Sequence, residues 1–138
     1  MAKMTMENGS IKNTLLASLA VAMLILLGYS VAFAHHGTAN YDTTKSVTVK
    51  GSVSSFQFIN PHVIISLDVK NEKGIVTNWQ GGLTSPNHLM RSGWTRDTLK
   101  TGDVISMSGF PAKSGAPEMW IQKVVLASGE QLDTSGGN

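Results

Sequence analysis

Residues 85–103 read SPNHLMRSGWTRDTLKTGD, and what this stretch becomes decides the fold. Ser85 is a suitable helix N-cap, Pro86 fits the first helical position, and Gly93 is placed to end the helix in a left-handed conformation. Those signals predict about two helical turns carrying His88, Leu89 and Met90. A second short turn is expected to begin at Thr95 and stop at Gly102.

Everything around this helix carries a strand pattern. Val47, Val49, Gly51 and Val53 keep odd spacing, whereas Phe56 and Phe58 fall on even positions, so the apolar face changes phase near Ser54–Ser55. A phase change within one long strand predicts a bulge that bends it. Asn60–Pro61 closes that strand, because proline lacks the donor that a central ladder needs. A second strand is expected from His62 to Lys70, with Val63, Ile65, Leu67 and Val69 on one face. The stretch NEKG at 71–74 makes a hairpin connection to a third strand, Ile75 to Gln80. After the helix, two more strands are expected at Asp103–Gly109 and Glu118–Leu126, joined by FPAKSGAPE.

The predicted order is three strands, a short helix and two strands: all-β with one short helix, arranged β-β-β-α-β-β. A long bent first strand with a helix between the third and fourth strands is the layout of a five-stranded OB-like barrel. A β-sandwich also accommodates short strands with turns between them, and the position of the one helix favours the barrel.

The chain divides at its beginning. Lys3 and Lys12 precede an almost wholly apolar run from Leu15 to Phe33, which ends in the small-x-small site Ala32-Phe33-Ala34. This is the pattern of a signal peptide over residues 1–34, cut after Ala34, and it implies a periplasmic or secreted protein. The run is also about the ~20 residues that span a bilayer, so an uncleaved segment would tether the domain to the membrane. The expected organisation is residues 1–34 as signal, 35–44 as an N-terminal arm, 45–127 as the barrel and 128–138 as a flexible tail. The tail SGEQLDTSGGN is polar and glycine-rich and is expected to fray beyond Leu132.

Removing Lys3, Lys12 and Glu7 lowers the formal charge from +2 to about +1. The basic pI of the whole chain is therefore no sign of a nucleic-acid partner, and a basic groove is missing. The absence of cysteine excludes disulfides, thiolate metal sites and cysteine nucleophiles. Lipid attachment at a new N-terminal cysteine is excluded by the same count.

All four histidines, His35, His36, His62 and His88, lie after the signal. Cleavage after Ala34 would turn His35 into a chelating terminus with a free α-amine and an imidazole nitrogen. The amine's ordinary pKa is near ~8, so a metal displaces its proton readily around neutral pH. Nitrogen donors so arranged suit Cu(II), which leads the divalent affinity order and accepts tetragonal N/O geometry. The set resembles a copper histidine brace, with His36 the nearest partner and His62 the more interesting one. Against this stands the plain reading of two flexible polar residues that mark the end of an apolar run.

In an OB barrel His62 and His88 fall at one end, while the arm is expected to enter at the other. His62, beside a proline at a strand start, also suits a structural role with its ring bonded to a loop carbonyl, and His88 is expected to be exposed. Trp79, Trp94, Trp120, Phe56 and Phe58 suit either core packing or a stacking platform for a small ligand. Arg91, Arg96 and Asp97 flank Trp94, and they read either as an anion clamp or as helix-dipole and stacking contacts. No nucleophile elbow, metalloprotease helix, phosphate loop or dinucleotide fingerprint is present, so nothing argues for an enzyme.

HHGTANYD at 35–42, INPHV at 59–63, GWTRDTLKTGD at 93–103 and GFPAKSG at 109–115 together resemble a family of small exported bacterial proteins filed as a domain of unknown function. The resemblance implies an exported OB-like barrel and supplies no activity. Two functional expectations follow. One is an envelope accessory protein binding copper through His35, His36 and His62. The other is a metal-free module that binds a small ligand or protein through the loops at Asn60–His62 and Ala112–Pro117.

Overall fold

The computed structural model describes residues 38–136 together with Asn13. His35, His36 and the apolar run to Phe33 lie outside the described residues. Among residues 38–136 there are six strands and one short α-helix: β1 (Val47–Gln57), β2 (Ile64–Lys70), β3 (Val76–Gly82), α1 (Pro86–Leu89), β4 (Val104–Pro111), β5 (Glu118–Leu126) and β6 (Gln131–Leu132). The sheet runs β3-β2-β1-β4-β5-β6, and a parallel pairing of β3 with β5 closes the first five strands into a mixed barrel. This is the β-β-β-α-β-β barrel expected from the sequence.

β1 serves two partners. Residues Val47 to Ser52 pair with β4, and Ser52 to Gln57 pair with β2, with the register slipping between Val53 and Ser55. The slip lies at the predicted phase change, and its cause is that phase change: both Val53 and Phe58 are buried although they have opposite parity. The β2–β3 hairpin is built by Asn71, whose side-chain carbonyl accepts from the backbone N–H groups of Lys73 and Ile75, with Gly74 at φ +79°.

The barrel interior is filled by alternate residues of the strands: Val53, Ile65, Leu67, Ile105, Met107 and Ile121, with Met119 and Val124 from β5. Leu83, Leu89, Trp94 and Leu99, from the helical segment and its flanks, are buried in the same core. α1 begins after Ser85 and continues as a 3-10 turn over Met90–Ser92, and Gly93 stops it at φ +82°. The expected second turn does begin at Thr95, where the Thr98 N–H donates to the Thr95 carbonyl at 3.2 Å, but no helix follows from it. Side chains add to this turn, the Thr98 hydroxyl accepting from the Thr95 N–H and the Thr95 hydroxyl from the Asp97 N–H. Asp97 therefore meets no helix dipole.

The segment from residue 128 differs from the free tail expected of it. β6 pairs with β5 through Val124–Leu132 and Val125–Gln131. Beyond it the Trp94 indole N–H donates to the Asp133 carbonyl at 2.6 Å, the Ser92 hydroxyl to the Asp133 carboxylate, and the Thr134 hydroxyl to the Gln122 carbonyl. Polar composition predicted fraying because the partners of these groups are 12 to 41 residues away in sequence.

Candidate functional site

His62 is exposed on the connection between β1 and β2. Its ring meets Trp120 edge-on, with centroids 5.5 Å apart and planes at 85°. Tyr41, from the arm, also meets this indole, at 6.1 Å and 50°. Two segments assigned to opposite ends of the barrel thus share one tryptophan.

The ladder registers explain why. Ile64 pairs with Gly82, Gly82 with Trp120, and Trp120 with Phe110, so one line of pairings runs across four strands. The start of β2 and the end of β4 therefore lie at the same level of the barrel wall, with β3 and β5 between them. The arm joins them by continuing the β1–β4 pairing: Tyr41 bridges Ala112, the Asp42 N–H donates to the Pro111 carbonyl at 2.8 Å, and the Lys113 N–H to the Asn40 carbonyl at 2.9 Å. The Lys113 ammonium adds a bond to the Ala39 carbonyl. A straight β1 would separate its two ends, whereas a bent β1 closed by the parallel β3–β5 seam brings them together. The expectation that the arm enters at the opposite end is corrected on this ground.

Trp120 is turned outward because its neighbours Met119 and Ile121 point into the core. It lies over Gly82, where a Cβ would stand 3.4 Å from the indole. Glycine in a strand often marks such a close approach. Glu118 lies on the same side of β5, two residues away. Burial pushes the Tyr41 hydroxyl above its ordinary pKa of 10.0, and the Glu118 carboxylate adds to the rise. A cleft of about 340 Å³ beside this cluster is lined by Asn40, Tyr41, Ala112, Lys113, Ser114 and Glu118. At the base of the arm, Asp42 accepts from the Thr44 hydroxyl and N–H and pairs with Lys45 at 3.0 Å, which together lower its pKa to about 2.

His88 is engaged elsewhere. Its ring is only half-exposed, Nε2 lies 2.6 Å from the Ser135 carbonyl, and Gly136 packs so closely that a Cβ there would collide with the imidazole. Trp94 is buried against Phe56, with centroids 6.1 Å apart, and Trp79 packs partly buried against the core. Of the aromatics considered as a platform, Trp120 is the one beside a candidate ligand residue. Among the described residues, no group of three or more His, Cys, Asp or Glu side chains is arranged to hold a metal. No described helix is long and apolar enough to cross a membrane.

The sequence named His62 as a candidate but did not name Tyr41 and Trp120 as its neighbours. The alternation Met119-Trp120-Ile121 gives the outward direction of Trp120, yet its neighbours depend on the seam.

The fold and this surface define a small closed OB-like barrel with an aromatic cluster where the arm meets the β1–β2 connection. The chain belongs to a family of unknown function, DUF6152, whose pattern matches residues 20–120. No curated protein matches it. Among solved structures it is similar to part of a crystal structure of TiaS in complex with an isoleucine tRNA and ATP, with 18% identity, a TM-score of 0.44, and coverage of 62% of this chain and 19% of that one. The crystal structure of the ZRD-deleted mutant of TiaS in complex with agmatine gives 17% identity and a TM-score of 0.46, covering 75% and 30% respectively. The chain thus spans less than a third of either solved structure.

Proposed function

We propose that this protein is an exported accessory barrel of the cell envelope that binds copper through a processed N-terminus, with His35, His36 and His62 as ligands. The observation that carries the reading is the coincidence of the small-x-small site Ala32-Phe33-Ala34 with His35, which cleavage would make a terminus offering an α-amine and an imidazole. His62, the third ligand proposed, is exposed on the β1–β2 connection beside Trp120. The apolar run and small-x-small site before His35 support export and cleavage, and the family's pattern begins inside that run, at residue 20. Bound copper would take nitrogen donors from the terminus and the histidines.

The test is the mass and metal affinity of the protein recovered from an exporting host. The expected N-terminus is His35, and Cu(II) affinity should fall when one extra residue precedes it. Equal affinity and an unchanged visible spectrum in that variant would overturn the reading.

The cleft at Asn40, Tyr41, Lys113 and Glu118 favours a second reading, a metal-free ligand module using the loops at Asn60–His62 and Ala112–Pro117. Elemental content of protein taken from its own envelope compartment separates the two. Stoichiometric copper supports the first, and metal-free protein the second.

A further inference from the structure

We infer that the outward row of β5 is the floor of a groove for a neutral oligosaccharide, with one sugar ring stacked on Trp120 and the next units held in polar clefts on either side of it. The inference rests on the second reading above, a ligand-binding barrel without metal, and names the class of its ligand.

Four observations carry it. First, Trp120 stands between two clefts. Glu118 and Trp120 alternate with the buried Met119 and Ile121, and Gln122 is exposed where the slip between Ser108 and Gly109 leaves it without a ladder partner. The Tyr41 cleft of about 340 Å³ lies at the Glu118 end. A second cleft, of about 400 Å³, is lined by Trp120 itself with Thr84, Gln122, Gln131, Asp133 and Thr134. The strand rises about 13 Å from Glu118 to Gln122, so the row suits an elongated ligand rather than a compact one.

Second, the indole is held in place and is not covered from β3. Tyr41 and His62 pack against it at 6.1 and 5.5 Å, and Gly82 brings no side chain over it. An ordered aromatic face accepts the C–H face of a sugar ring. Third, the clefts present groups that suit sugar hydroxyls, which both donate and accept: the amides of Asn40, Gln122 and Gln131 and the hydroxyls of Thr84, Ser114 and Thr134. Fourth, two other polymers fit poorly. Each cleft carries a carboxylate, Glu118 or Asp133, and the Lys113 ammonium is bonded to the Ala39 carbonyl, so a nucleic acid meets no basic groove. A peptide that adds as a strand needs a free edge. β5 is paired with β4 on one side and with β3 and β6 on the other, and between these last two the Thr134 hydroxyl takes the Gln122 carbonyl.

The experiment titrates the protein expressed from its full chain with cellotetraose, maltotetraose and chitotetraose and with their monosaccharides, by calorimetry and tryptophan fluorescence. An alanine–glycine peptide and a single-stranded oligodeoxynucleotide are titrated in parallel. At least one tetrasaccharide should shift the tryptophan emission and bind about 10-fold or more tightly than its monosaccharide, because the second cleft adds contacts with no second cost of association. Trp120→Ala should weaken that binding by about 10-fold or more, the usual loss on removing a stacking ring, and Trp120→Phe should keep most of it. Glu118→Ala and Gln131→Ala, one exposed position from each cleft, should each lower the affinity for the tetrasaccharide. Far-UV circular dichroism checks that each variant is folded, and these two decide the question if Trp120→Ala is not.

No binding of any tetrasaccharide, or parent-like affinity in the Trp120 and cleft variants, would overturn the inference. If the peptide or the oligodeoxynucleotide then binds and loses affinity in the Trp120 variants, the ligand-binding barrel stands with another ligand. If no probe binds and protein from its own compartment carries stoichiometric copper, that reading falls as well.

Discussion

Replacing Gly109 by alanine tests how the barrel wall fixes Trp120. A Cβ at Gly109 would run into the Trp120 carbonyl oxygen, and would lie 2.8 Å from the Trp120 carbonyl carbon and 2.9 Å from the Ile121 Cα. All three obstacles are backbone, so no side chain can rotate away. Relief requires β4 and β5, spaced at about 4.8 Å in an ordinary sheet, to part by the better part of an ångström. The site already carries a register slip between Ser108 and Gly109, and the pairs Gly109–Ile121 and Phe110–Trp120 flank the collision. Loss of two ladder bonds at about 1 kcal/mol each, with overpacking strain of about 1–3 kcal/mol, gives a destabilisation of about 3–5 kcal/mol. For a domain of this size each kcal/mol is about 4–8 °C, so Tm should fall by at least about 12 °C. Thermal unfolding followed by circular dichroism measures it, and the near-UV tryptophan signal should change in the folded baseline as Trp120 shifts against His62. A Tm within about 3 °C of the parent would show that the strands are not held as close as described.

Two further perturbations address the arm and the C-terminal segment. The Asp42 pKa of about 2 lies below its ordinary 3.8, so the unfolded chain takes up the proton first as pH falls; the stabilisation is complete above about pH 4 and is lost toward pH 2. Asp42→Asn should therefore lower the urea midpoint at pH 5 and match the parent at pH 2, and an equal difference at both pH values would contradict this origin. Trp94→Phe removes the indole bond to the Asp133 carbonyl and part of a buried ring, and should destabilise by about 1–2 kcal/mol. Hydrogen exchange in residues 131–135 should quicken beyond the global change, and protection unchanged there would mean that β6 alone holds the segment.

The readings that succeeded from sequence were those with local causes. Pro86 and Gly93 bound the helical segment, Asn71 and Gly74 make the hairpin, and the parity change between Val53 and Phe58 makes the bulge, because each depends on residues a few positions apart. His62 was legible as a candidate because few residues in this chain can hold a metal. Its neighbours were not legible. Tyr41 precedes it by 21 residues and Trp120 follows it by 58, and nothing in their immediate sequence specifies that they meet.

The sequence by itself determined the order of the five barrel strands and the helix, the bend in β1 and the face that β2 turns inward, since these follow from hydrophobic period and backbone preference. Only the tertiary structure decided that the arm, the β1–β2 connection and the outward face of β5 form one surface. It also decided that residues 131–135 are bound rather than free. Both follow from closure: the parallel β3–β5 seam sets the register around the whole barrel, and that register is a property of the closed wall that no single strand carries.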